Sequence, residues 1–173
     1  MNDKELQEAL FPRAIEKLPT YELGSNENGD AFIRCLACNR PSYHPQDIKQ
    51  LYCGNCHWFH PLLMDQAFWI ACEISRKAVS WLCGSQDVAH ESRTIDGAEL
   101  HLEPFTYGRG RFLVYYDKCG CDSWEFPDLW KASIAYLTFQ IGREPLGWCR
   151  HTGDGKPDRR RPDGDPEKEY VKS

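Results

Sequence analysis

Cys35 and Cys38 form one Cys-x-x-Cys pair, Cys53 and Cys56 form a second, and 14 residues separate the two. Each pair can close into a tight turn that points two sulfurs at one centre. Two such turns on a short hairpin supply the tetrahedral four-sulfur cage that zinc favours in closed structural sites. Asn39 and His57 each follow the second cysteine of a pair, and both residue types tolerate the left-handed backbone that such turns often need. Iron in a four-sulfur cage, a redox pair of disulfides and plain thiols are the other chemistries open to this spacing. A closed four-cysteine site organises a fold and leaves no open position for catalysis.

The remaining chemistry-bearing residues give weaker patterns. Cys119-Gly120-Cys121 could join Cys149 and His151 in a second closed centre, although isolated thiols are the simpler reading. Cys72 and Cys83 fall on or near an apolar helix and read as small core residues. His44 and His60, each followed by proline, read as polar surface or turn residues, and His57 reads as a hydrogen-bond partner beside a metal thiolate. Tyr43, Tyr52, Trp58 and Phe59 interleave with the cysteines. With Arg34, Arg40 and Lys49 they could form a contact surface for a partner or for unpaired bases, or simply the core of a small unit. Glu91, Asp96, Glu99, Glu103, Asp117 and Asp122, with His90, are the acids a metal-dependent nuclease or other hydrolase would need to gather. The chain has no HExxH, no phosphate-binding glycine loop and no GxSxG.

Positioning these groups falls to a small set of elements. Residues 3–11 read as a short helix and 24–30 as a loop. The cysteine segment spans 30–60. Leu63, Ala67, Ile70, Ala71, Ile74, Ala78 and Leu82 recur at three- and four-residue steps, which predicts a long helix over 62–82 with a buried stripe, stopped near Gly84. The period then changes to two. Asp96-Gly97 marks a tight turn between strands at 88–95 and 98–103, Tyr107-Gly108-Arg109-Gly110 offers another, and 112–116 is a third strand. A second helix is expected over 128–141, with Leu129, Trp130, Ile134, Leu137 and Ile141 on one side. The last segment, 151–173, is rich in proline, glycine and charge and reads as an extended or disordered tail.

The 173 residues include 41% hydrophobic side chains, enough for one moderate domain or two small ones sharing a core. No apolar run approaches the roughly 18 residues of a membrane span. Nine cysteines behind an N-terminus without a basic-then-apolar leader point to a reducing, cytoplasmic setting. Net charge is −5, and residues 30–60 carry only Arg34, Arg40 and Lys49 against Asp30 and Asp47. Four thiolates around a dication would add two negative charges there. Nucleic-acid affinity depends on lysine and arginine neutralising phosphates, so this balance disfavours that function without removing it. Arg159-Arg160-Arg161 in the tail is offset by neighbouring aspartates.

Phe32-Ile33-Arg34-Cys35-Leu36-Ala37-Cys38, then Ser42-Tyr43-His44-Pro45, then Leu51-Tyr52-Cys53-Gly54-Asn55-Cys56-His57-Trp58-Phe59-His60 resembles a pattern in small bacterial and phage-type zinc-ribbon proteins. Gly147-Trp148-Cys149-Arg150-His151 and the segment 160–166 resemble the ends of uncharacterised phage proteins. The resemblance covers about 30 residues plus the tail; it implies a small accessory factor acting on host or phage machinery, and it supplies no catalytic residues. The expected architecture is α+β: segment 1–29 with a helix and loop, a four-cysteine zinc ribbon over 30–60 packed on a long helix, and an antiparallel β-meander with a second helix completing 61–150. The expected function is a zinc-stabilised protein-interaction module, such as a phage-encoded regulator or inhibitor of a host complex. The alternatives are a nucleic-acid-binding ribbon and a metal-dependent hydrolase.

Overall fold

The computed structural model describes residues 15–82, 90–105, 111–116, 122–126, 128–143, 145 and 149–151, without the side chains of 79–82, 105, 111, 113, 115, 122, 123 and 149–151. The helix expected at 3–11, the stop at Gly84, the turn at 107–110 and the tail from 152 onward lie outside them.

Strands β1 (Tyr21–Ser25), β2 (Ala31–Cys35) and β3 (Arg40–Ser42) form an antiparallel sheet in that order. The first two residues of the expected 24–30 loop therefore belong to a strand, and the reason is Phe32. Gly24 pairs with Phe32 across the sheet, and a Cβ there would come within 2.8 Å of the ring. The glycine makes room for an aromatic face and does not mark a turn. The turn itself is built by Asn26, whose Oδ1 accepts the backbone N–H groups of Asn28 and Asp30 at 3.0 and 2.8 Å.

A short helix absent from the sequence reading, α1 (Pro45–Gln50), follows. Its signals are local. His44 caps it by accepting the Gln46 N–H on Nδ1 at 3.3 Å, Pro45 fills the first turn, and Leu51 ends it with a left-handed backbone at φ 52. The hairpin of β4 (Tyr52–Cys53) and β5 (Trp58–Phe59) leads directly into α2 (His60–Leu82). Leu63, Ala67, Ile70, Ala71, Ile74 and Ala78 are all buried along α2. Cys72 is exposed, which corrects its reading as a core residue.

The second half is wider than the expected three-stranded meander. Strands β6 (Glu91–Ile95), β7 (Ala98–Phe105), β8 (Arg111–Tyr116), β9 (Asp122–Phe126) and β10 (Cys149–His151) form a five-stranded antiparallel sheet, ordered β10-β9-β8-β7-β6. Asp96 and Gly97 both take left-handed conformations, at φ 47 and 75, as the two-residue hairpin turn requires. Helix α3 (Leu129–Thr138) is capped by Asp128, whose carboxylate accepts the Lys131 N–H at 2.8 Å. It ends three residues before the expected limit, and Ile141 lies beyond it, 51% exposed. Leu129, Trp130, Ala132, Ser133, Ala135 and Tyr136 are buried along α3, while Ile134 and Leu137 are half-buried. Leu129, Ala132, Ala135, Tyr136 and Leu137 meet Ile70 and Ile74 of α2 and the inward residues Leu100, Leu102, Val114, Trp124 and Phe126 of the sheet. Each large apolar side chain so buried contributes about 1.5–3 kcal/mol.

The segment 20–60 is organised differently. Its buried residues are Thr20, Ile33, Cys35, Cys38, Cys53, Cys56 and His60. Four of those seven are the cysteines, so sulfur occupies the place that aliphatic side chains hold in the sheet half.

Candidate metal centre

Each Cys-x-x-Cys pair occupies the tip of a hairpin, Cys35–Cys38 between β2 and β3 and Cys53–Cys56 between β4 and β5. Both tips close through a left-handed residue, Asn39 at φ 55 and His57 at φ 58, the two positions at which the sequence indicated such a conformation. The tips face one another. Cys35 Sγ lies 3.9 Å from Cys56 Sγ, Cys38 Sγ lies 3.6 Å from Cys53 Sγ, and all four sulfurs fall within 4.8 Å of one another. A tetrahedron with metal–sulfur bonds of ~2.3 Å has sulfur–sulfur edges of ~3.8 Å. The donor set therefore fits a single tetrahedral ion. A disulfide needs about 2.05 Å, and the four cysteines are free.

The surroundings favour thiolate at Cys38 and Cys53. Backbone N–H groups point at the sulfurs, from Cys56 to Cys53 Sγ at 3.3 Å and from Arg40 to Cys38. Crowding divides the four thiols. Hydrogen bonding from Cys35 pulls Cys38 below the usual thiol range and Cys53 down to about 6, while Cys35 is pushed up by Cys38 and Cys56 is pushed up by Cys35. Neighbouring sulfurs thus share protons, and a dication in their midst would replace those protons and relieve the repulsion.

His60 corrects its sequence reading most sharply. It is fully buried, and its Nδ1 is hydrogen-bonded to the Thr20 hydroxyl at 2.9 Å. Its Nε2 is buried without a hydrogen-bond partner among the described residues, and the Tyr21 ring lies 5.1 Å away. Burial lowers its pKa to about 4, with the Cys38 thiolate pulling the other way. A signal was present: His60 continues the buried stripe of α2 three residues before Leu63. His57 places its ring 3.4 Å from the Tyr52 hydroxyl, so the expected ring contact with a thiolate is replaced by one with Tyr52.

The proposed contact residues divide. Trp58 turns inward, packing on the cysteines and donating its Nε1–H to Leu137 O at 3.3 Å. Arg34 is paired with Glu22 at 2.8 Å and lies over the Phe32 ring. Tyr43 and Phe59 are 50% and 46% exposed, and Arg40 and Lys49 are exposed as well. Of the candidate hydrolase acids, Glu99 shares the outer face of β7 with Glu103 and reaches His101 at 3.2 Å, whereas Glu91 meets Lys77 of α2 at 2.7 Å. Asp96 sits in the turn between β6 and β7 and Asp122 opens β9; Asp117 lies outside the described residues. The acids therefore divide between two faces of the sheet. Cys119 and Cys121 also lie outside the described residues, and Cys149 and His151 are described as backbone in β10. Among the described residues the cysteine quartet is the only metal-competent cluster.

Sequence reasoning missed Gln140 and Arg143, in the loop after α3. Gln140 Nε2 donates to Asn55 O at 2.7 Å and Arg143 Nη2 donates to Cys38 O at 3.2 Å. No local signal marks them, because their partners are 85 and 105 residues away. No helix among the described residues is long and apolar enough to cross a membrane. No protein-family model, curated protein or solved structure matches the chain.

Proposed function

We propose that this protein is a zinc-stabilised protein-interaction module whose four-cysteine segment is a zinc ribbon, as its resemblance to small bacterial and phage-type zinc-ribbon proteins implies. The observation that carries this reading is the interior of segment 20–60, where the four sulfurs take the place of an apolar core. A closed tetrahedral set of four thiolates is the structural chemistry of zinc and keeps no open position for substrate. The metal then builds a surface. An apolar groove of about 310 Å³ runs between Leu18, Pro19, Leu36 and Ala37 on the ribbon side and Trp130, Ile134 and Ala135 on α3. Leu18 and Leu36, each 43% exposed, stand at it, and a partner's apolar side chains are the chemistry that fits. The pairing of Arg34 with Glu22 removes one of three bases from phosphate binding, which weighs against a nucleic-acid role.

The test has two parts on the full chain. Elemental analysis is expected to give one zinc per chain; visible absorbance from iron would replace the metal. Affinity capture from a bacterial lysate, with and without nuclease, is expected to retain one complex that survives nuclease and is lost on Ile134→Glu. Loss of every partner on nuclease treatment would overturn the reading in favour of nucleic-acid binding.

A further inference from the structure

One carbonyl oxygen on each cysteine turn is held by a single pair of side chains from outside the ribbon. Gln140 takes Asn55 O, Arg143 takes Cys38 O, and the two are joined by an Arg143 Nη1 to Gln140 Oε1 hydrogen bond at 3.3 Å. The link from Asn55 through Gln140 and Arg143 to Cys38 therefore spans both turns. The loop that presents the pair is itself fixed. Arg143 N–H donates to Gln140 O at 3.1 Å, and Gly142 adopts φ 76. At its start the Phe139 ring lies 5.2 Å from Tyr116 and 5.5 Å from Trp124, in the main core. The loop thus has one foot in the sheet half and two donors on the cysteine turns. Four thiolates around a dication leave two negative charges, and Arg143 brings a cation to the backbone of one ligand. Hydrogen bonds of this outer layer orient the ligands and tune how firmly a metal is held.

Resting on the reading of the four cysteines as a metal centre, we propose that Gln140 and Arg143 are positioning residues that lock both turns in the four-sulfur geometry and couple metal retention to docking of the ribbon against α3. The coupling is reciprocal. Metal-loaded turns present the two carbonyls at the spacing the pair requires, so metal strengthens docking. Removal of the donors loosens the turns, so metal leaves faster.

The experiment loads the full chain with Co(II), reads the thiolate-to-cobalt charge-transfer band, and follows transfer of the ion to a chromophoric chelator. Gln140→Ala and Arg143→Ala are expected to release cobalt about 10- to 100-fold faster than wild type. Arg143→Lys, which keeps the charge but cannot bridge two acceptors as a fork does, is expected to fall between. Ile141→Ala, altering an exposed side chain of the same loop, is expected to match wild type. Hydrogen exchange supplies a readout without the chelator, with protection of 139–143 rising on metal loading. Alanine variants that bind cobalt and release it at the wild-type rate would overturn the proposal. Where an alanine variant does not fold, Arg143→Lys and Gln140→Glu decide, and wild-type release from both overturns it equally. A wild-type chain without cobalt–thiolate bands would sink the metal-centre reading, and the clamp with it. Failure of the clamp alone leaves those bands intact.

Discussion

Two cysteines of this chain show how position decides what a thiol is worth. Cys38 is buried among three other sulfurs and its carbonyl is held by Arg143, while Cys72 is exposed on α2. Cys38→Ser is expected to abolish tight metal binding and to cost more than about 3 kcal/mol, because structural metal affinity is folding free energy. Cys72→Ser should stay within about 0.5 kcal/mol. Urea melts of both variants in zinc check the contrast. His60 gives a pH dependence. Its folded pKa lies near 4, below the ordinary value of 6.5, so the unfolded chain binds the extra proton between those values. Its contribution is present in full above about pH 6.5 and is lost as pH falls toward 4, to a limit of about 3 kcal/mol. His60→Asn keeps a polar partner for Thr20 without titrating. The difference between the two stability–pH curves should therefore slope through that window, and parallel curves would refute the assignment. The quartet and both left-handed residues were legible because their chemistry sits within four-residue windows. Gln140 and Arg143 were not, since their partners lie 85 and 105 residues away, and His60 showed its place on the α2 stripe but not its bond to Thr20, 40 residues away.

At the scale of elements, legibility followed the length and strength of the local pattern. The stripe of α2 repeats over six turns and was found nearly to its ends. The hairpin at Asp96-Gly97 was found because only a few residue types tolerate two successive positive φ values. Gly97→Ala places its methyl in open space, so its cost is conformational alone, about 1–2 kcal/mol. A melt showing no loss would mean the turn can change type without disturbing the register of β6 and β7. Strands β9 and β10 escaped because each draws its identity from its neighbours. β9 pairs with β8 on one side and β10 on the other, and the three residues of β10 carry no apolar alternation of their own. Helix α1 escaped for the opposite reason: its cap and its proline were read as surface and turn features, and six residues are too few to show a period.

The whole molecule joins two interiors of different kinds at the C-terminal end of α3. There Leu137 O accepts Trp58 Nε1 from the cysteine segment and Arg93 Nη2 from β6, at 3.3 and 3.2 Å, and Arg93 also donates to Tyr136 O at 2.6 Å. A cation against the negative end of a helix is favourable. Burial lowers the Arg93 pKa, and the Tyr136 ring 5.2 Å away gives the guanidinium a second favourable face. The sheet half holds this end of α3 through its own apolar cluster, whereas the cysteine segment meets it through Trp58, which itself packs on the four cysteines. Chelation is therefore expected to act unequally. Amide protection should fall across 31–59 and 139–143, while β7 and β8, in the middle of the five-stranded sheet, retain theirs. Hydrogen exchange with and without a zinc chelator reads this directly. A uniform loss would show that the two interiors fold as one cooperative unit, with the metal supporting the sheet through the Leu137 junction. An unequal loss would make that junction the seam along which metal controls the groove beside α3.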